Sequence, residues 1–92
     1  MFSITSDFSE PPKAKGFHMT FANGFTASVQ WGLSNYADCL PNGDARTAEV
    51  AAWNTPNSWF HAPGFDYRGD DVLGNLTADE VFKFLGEVAN AR

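Results

Sequence analysis

The chain has 92 residues, a formal net charge of −5, and 43% hydrophobic and 15% aromatic residues. That is too rich in Phe and Trp for a disordered chain, and long enough for one core but not two. Its six basic residues, Lys13, Lys15, Arg46, Arg68, Lys83 and Arg92, are scattered along the sequence, which excludes the clustered cationic surface that duplex nucleic acid demands. The single cysteine, Cys39, excludes an internal disulfide and any zinc site built on two or more thiolates.

Residues 1–8 alternate weakly and suit a short edge strand. Residues 9–16 are polar with Pro11 and Pro12, so positions 1–16 read as an N-terminal arm and linker. The clearest pattern follows. Phe17, Met19 and Phe21 alternate with His18 and Thr20, and Phe25, Ala27, Val29 and Trp31 alternate with Thr26, Ser28 and Gln30. This period of two is that of two half-buried strands. A two-residue Asn23-Gly24 loop would mix the faces. A loop of Ala22, Asn23 and Gly24 pairs 21 with 25, 19 with 27 and 17 with 29, and gathers the apolar side chains on one face. Such loops need a left-handed residue, which Gly24 supplies without steric cost.

Residues 32–44 are irregular, with a turn signal at Pro41-Asn42-Gly43-Asp44 and a helical turn expected near 35–40. The stretch from Thr47 to Trp53 has helix-favouring alanines, Glu49 and a capping Asp44 before it. The turn at Asn54-Thr55-Pro56-Asn57 and the strand-like Ser58-Trp59-Phe60-His61 favour a second hairpin over that helix. At the C-terminus, Thr77 and Glu80 form a capping box, with Leu76 and Val81 at the spacing of a hydrophobic staple. Asp79 and Glu80 lie in the first turn, where the helix dipole favours negative charge. Val81, Phe82, Leu85, Val88 and Ala89 then make an apolar stripe that Phe84 widens. The expectation is one α+β domain over 1–92: a small antiparallel sheet of about four strands in two hairpins (17–66), packed by one C-terminal helix (77–91).

Chemistry-bearing residues are few. His18 falls on the polar face of the first hairpin. His61 lies near Asp66, and an Asp–His pair orients an imidazole for proton transfer. Cys39 has no cationic neighbour to activate it and reads as a small buried residue. The acidic run Asp66-Tyr67-Arg68-Gly69-Asp70-Asp71 lacks the spacing and closing Glu of a calcium loop. No His/Asp/Glu spacing marks a metal site and no cofactor motif occurs. The aromatic surplus is the stronger signal. Tyr36, Trp53, Trp59, Phe60, Phe65 and Tyr67 lie in or beside loops, and those left outside the core supply large contact area at low entropy cost. Tyr36, Arg46, Trp53, Trp59, Tyr67 and Arg68 are the candidate binding residues, with the arginines able to meet a phosphate beside a stacked base.

The segments Asn23-Gly24-Phe25-Thr26, Ser28-Val29-Gln30-Trp31-Gly32 and Asn35-Tyr36 resemble small proteins encoded by tailed bacteriophages. Thr47-Ala48-Glu49-Val50-Ala51-Ala52-Trp53, Asp70-Asp71-Val72-Leu73-Gly74 and Asp79-Glu80-Val81 are similar too. The resemblance covers about two thirds of the chain and transfers no catalytic residue. It implies the cytoplasm of an infected bacterium and a small protein that blocks a host or defence component. The absence of a basic, then apolar, leader and of a membrane-length apolar run agrees with a cytoplasmic setting. The resulting expectation is a non-enzymatic binding protein with an aromatic, acidic surface for a host or defence protein. The alternative is a sponge for a nucleotide-type signalling molecule. Exposed sheet edges are compatible with a homodimer.

Overall fold

The computed structural model describes residues 15–31, 45–55 and 58–92. The expected strand over 1–8, most of the linker that follows it, the helical turn near 35–40, Tyr36, Cys39, the Pro41–Asp44 turn and the Pro56-Asn57 pair lie outside the described residues. The element order is β1 (Lys15–Thr20), β2 (Thr26–Trp31), β3 (Ala48–Thr55), β4 (Ser58–Trp59), β5 (Leu73–Leu76) and α1 (Ala78–Ala89). All strand pairs are antiparallel: β1-β2-β3-β4 in order, with β5 also on β3. The chain is an α+β fold.

The first hairpin has the register that its side-chain alternation requires. Phe17 faces Val29 and Met19 faces Ala27. Phe21 N–H donates to Phe25 O at 2.8 Å and Gly24 N–H to Phe21 O at 2.9 Å. Gly24 has φ +89°, the left-handed position that closes this loop and that a side chain would strain. β1 begins two residues earlier than the alternation alone suggests, at Lys15. Gly16 is needed there, since a Cβ would come within 2.3 Å of Val29 O.

Residues 48–55 form a strand, not a helix. β3 pairs with β2 over Thr26–Gln30 and with β4 through Trp53↔Trp59 and Thr55↔Ser58, with an irregularity between. The second hairpin therefore exists, but β4 is only two residues long. Its ladder ends at Phe60, whose N–H donates to Ala52 O at 2.9 Å. β5 adds a strand that alternation does not reveal. It takes the same edge of β3 as β4, pairing Ala48 with Leu76 and Val50 with Leu73 across a register shift.

The capping box forms as expected. Glu80 N–H donates to Thr77 Oγ1 at 3.3 Å and Thr77 N–H to Glu80 Oε1 at 2.9 Å. These bonds hold the Glu80 carboxyl below its ordinary range, the backbone N–H of Thr77 contributing most. A depressed carboxyl contributes stability that is present above the unfolded glutamate pKa and lost as pH falls through the lower folded value. Thr77→Ala is therefore expected to cost about 1 kcal/mol at neutral pH. Glu80→Gln should flatten the acid limb of the stability profile, measured by urea denaturation from neutral pH down through the carboxylate range. An unchanged acid limb in Glu80→Gln would remove the carboxylate from the cap.

The helix lies across the inner face of the sheet, touching β2, β3 and β5. Val81, Phe84 and Val88 are its buried residues. They meet Ala27, Val29, Ala48, Val50 and Ala52 of the sheet in one core. These inner-face positions are all alanine or valine, so the helix can approach closely. The apolar stripe needs correcting at Phe82, which is 81% exposed. Phe84, not Phe82, is the buried aromatic of the helix, and Ala89 is exposed. At the far end of the helix, Asn23 of the β1–β2 turn donates through Nδ2 to Val88 O, Ala89 O and Ala91 O at 2.9, 3.1 and 2.9 Å. Its Oδ1 accepts from Phe25 N–H at 3.0 Å. One side chain thus ties the first hairpin to the C-terminal end of the last element.

Candidate functional site

The sheet has a second face. Strand alternation places His18 and Thr20 of β1, Thr26, Ser28 and Gln30 of β2, and Glu49, Ala51 and Trp53 of β3 opposite the helix. No described element packs on this side. Four of its polar residues pair with one another: Thr20 and Thr26 hydroxyls are 2.9 Å apart, and Gln30 Nε2 donates to Ser28 Oγ at 3.1 Å. Aromatic rings run across the strands beside them. The His18 and Trp53 rings meet edge to face at 5.3 Å between centroids, and Trp53 and Trp59 at 5.8 Å. Trp53 is half-buried, whereas Trp59 is 48% exposed on the two-residue strand β4. The hairpin register places Trp59 directly opposite Trp53. This row of three rings joins two of the sequence candidates, Trp53 and Trp59, and adds His18, whose position on that face the first hairpin's alternation already indicates. The exposed indole of Trp59 offers apolar contact area at the rim of this face, whose central Ser28 and Ala51 are buried.

The remaining candidates lie elsewhere. Tyr67 is a core residue, and its place in an exposed aromatic surface is corrected accordingly. Its hydroxyl accepts from Ala62 N–H at 2.8 Å inside the core. Burial pushes its pKa up, with the Ala62 bond acting in the opposite direction. Phe60 and Phe65 also turn inward: Phe60 meets Phe25 at 5.3 Å, and Phe65 meets Phe84 at 6.0 Å. Arg46 is exposed just before β3. Arg68 is exposed and left-handed at φ +52°, with its Nε a loose 3.6 Å from Asp66 Oδ2. It lines an open cavity of about 540 Å³ with Asp66, Tyr67, Asp70, Val72, Leu73, Gly74 and Asn75. Asn75, at φ +60°, is the other non-glycine left-handed residue among those described. Neither Trp53 nor Trp59 lines this cavity, so the structure does not bring the arginine and the tryptophans to one place.

The imidazole of His61 does pair with a carboxylate, but with Asp71 rather than Asp66. His61 Nε2 is 2.8 Å from Asp71 Oδ1, and the ring stacks on Tyr67 at 4.2 Å with 12° between planes. Both members are about half exposed. The pair joins the two ends of the connection between β4 and β5 over the buried Tyr67, a positioning contact within the loop. Among the described residues no group of three His, Cys, Asp or Glu side chains converges on a metal position, and no helix is long and apolar enough to cross a membrane.

No family model, curated protein or solved structure matches this chain.

Proposed function

We propose that this is a non-enzymatic binding protein that engages a protein partner through the outer face of its sheet. The observation that carries this reading is Trp59, half exposed and edge-on to Trp53 on a face that no described element covers. Tryptophan dominates the energetics of protein contacts because one rigid ring buries a large area at small entropic cost. The chain's net charge of −5 favours a basic partner. In the setting that the phage resemblance implies, the partner is a host or defence protein. The nucleotide alternative has less support, because Arg68 opens onto a cavity that neither tryptophan lines.

The test is affinity capture from bacterial lysate with chemical crosslinking and mass spectrometry, comparing the native chain with Trp59→Ala and Trp53→Ala. A hot-spot tryptophan is worth about 2 kcal/mol or more, or roughly a 30-fold loss of affinity. Phe82→Ala serves as the control, removing an equally greasy residue from the helix. Equal capture by the Trp59→Ala and native chains would sink the reading. A nucleotide-induced rise in the native Tm that disappears in Trp59→Ala would favour the sponge instead.

A further inference from the structure

β1 is an edge strand of the sheet among the described residues. In the first hairpin, Phe21 and Phe25 form the hydrogen-bonded pair that closes the loop. Antiparallel ladders alternate, so Met19 and Phe17, opposite Ala27 and Val29, also turn their backbone groups toward β2. The N–H and C=O groups of Gly16, His18 and Thr20 then point away from the sheet. No described strand pairs with that edge. Such a row is a template for another strand. Apart from Lys15 at its start, β1 has no Lys, Arg, Asp, Glu or Pro, and the pairing with β2 runs through Lys15–Thr20 without a bulge.

The side chains point the same way. Phe17 and Met19 are each 40% exposed. They share the inner face with the core, yet α1 packs on β2, β3 and β5 and leaves β1 uncovered. Charge identifies the occupant. Eleven acidic residues give the chain its net charge of −5, but none falls between 15 and 31, where Lys15 is the only charged residue. Two copies of this acidic molecule therefore meet along this hairpin with no carboxylate on either side. A basic partner finds no carboxylate here, and nucleic acid finds one lysine.

We propose that the protein self-associates through antiparallel β1–β1 pairing centred on His18. In this register His18 lies opposite its own copy in the second molecule, Gly16 opposite Thr20, and Phe17 opposite Met19. The contact is isologous, and each sulfur–aromatic pair occurs twice. The two sheets become one. A six-residue strand buries less than the ~800 Å² per partner of a standard interface, so the dimer is weak, with Kd on the order of micromolar or above.

Sedimentation velocity from about 1 μM to 1 mM, a range that brackets such a Kd, is the first test. A reversible monomer–dimer equilibrium is expected, and Met19→Lys should shift it at least about tenfold toward monomer, because a charged residue on an edge opposes pairing. An unchanged Tm at low concentration would confirm that this variant still folds. Register is read by oxidation in a Cys39→Ser background. His18→Cys should crosslink to its own copy, since the Cα atoms of a hydrogen-bonded pair lie about 5.5 Å apart, within the disulfide range of about 4.4–6.8 Å. Thr20→Cys faces Gly16 of the second molecule and should not. A monomer at every concentration overturns the proposal. So does a dimer that ignores Met19→Lys, or a Thr20→Cys crosslink as efficient as that of His18→Cys.

Discussion

Phe84→Ala is expected to destabilise the protein by about 3–5 kcal/mol. Phe84 has no exposed surface and is the bulkiest fully buried side chain described. It fills the space between α1 and the inner face of the sheet, with the ring of Phe65 edge-on to it at 6.0 Å. The core it shares includes Ala27, Ala48 and Ala52, which have no side-chain length with which to fill a vacated volume. The cavity left by truncation would therefore persist, and the cost should lie at the high end of the range. A domain of this size is stable by only about 5–15 kcal/mol, so the midpoint of thermal unfolding should fall by more than about 12 °C. Phe82→Ala, two positions away and 81% exposed, should change stability by less than about 0.5 kcal/mol. Paired calorimetric melts decide the matter. Comparable losses in the two variants would mean that the helix presents a different face to the sheet.

The second large effect is at Asn23, where Asn23→Asp should cost about 2–4 kcal/mol. The asparagine amide carries two hydrogens, which the three carbonyls of Val88, Ala89 and Ala91 share. Aspartate has no hydrogen to donate. It also sets a carboxylate against the negative end of the helix, which has no basic residue in its last turn. Asn23→Ala loses the donors and also the bond from Phe25 N–H, yet adds no charge. Aspartate keeps that acceptor, so a greater loss in Asn23→Asp than in Asn23→Ala isolates the electrostatic part. Denaturation in low and high salt checks this, because screening should narrow the gap between the two variants. A gap of zero at low salt would overturn the electrostatic part, and full stability in both variants would remove Asn23 from the helix end.

Asn23 also shows how far the sequence could be read. Its turn role was visible, since Asn-Gly between alternating strands is a local signal. Its cap of the last helix joins residues more than sixty positions apart, and no local pattern encodes that meeting. The Thr77–Glu80 capping box, by contrast, closes within one helical turn and is legible. Phe82 and Phe84 both border the apolar stripe on a helical wheel. Which one is buried depends on the tilt of the helix over the sheet. β5 is not legible in the sequence because Leu73 and Leu76 are three apart and Asn75 is left-handed, which breaks the period of two by which strands are recognised. For the candidate site, the sequence shows Trp53 and Trp59 only as aromatics beside loops. Their meeting depends on the β3–β4 register, which is irregular between Trp53 and Thr55. Tyr67 carried the same local signal as Trp59 and went to the core.

The sequence by itself determined the first hairpin and its register, the cap and start of the helix, and the α+β class, because each rests on periodicity or contacts spanning a few residues. Only the tertiary structure decided which aromatics stay in water, which carboxylate reaches His61, and what closes the end of the helix. Those outcomes depend on how elements far apart in the chain pack over one another, and side chains of equal hydrophobicity compete for the same limited interior.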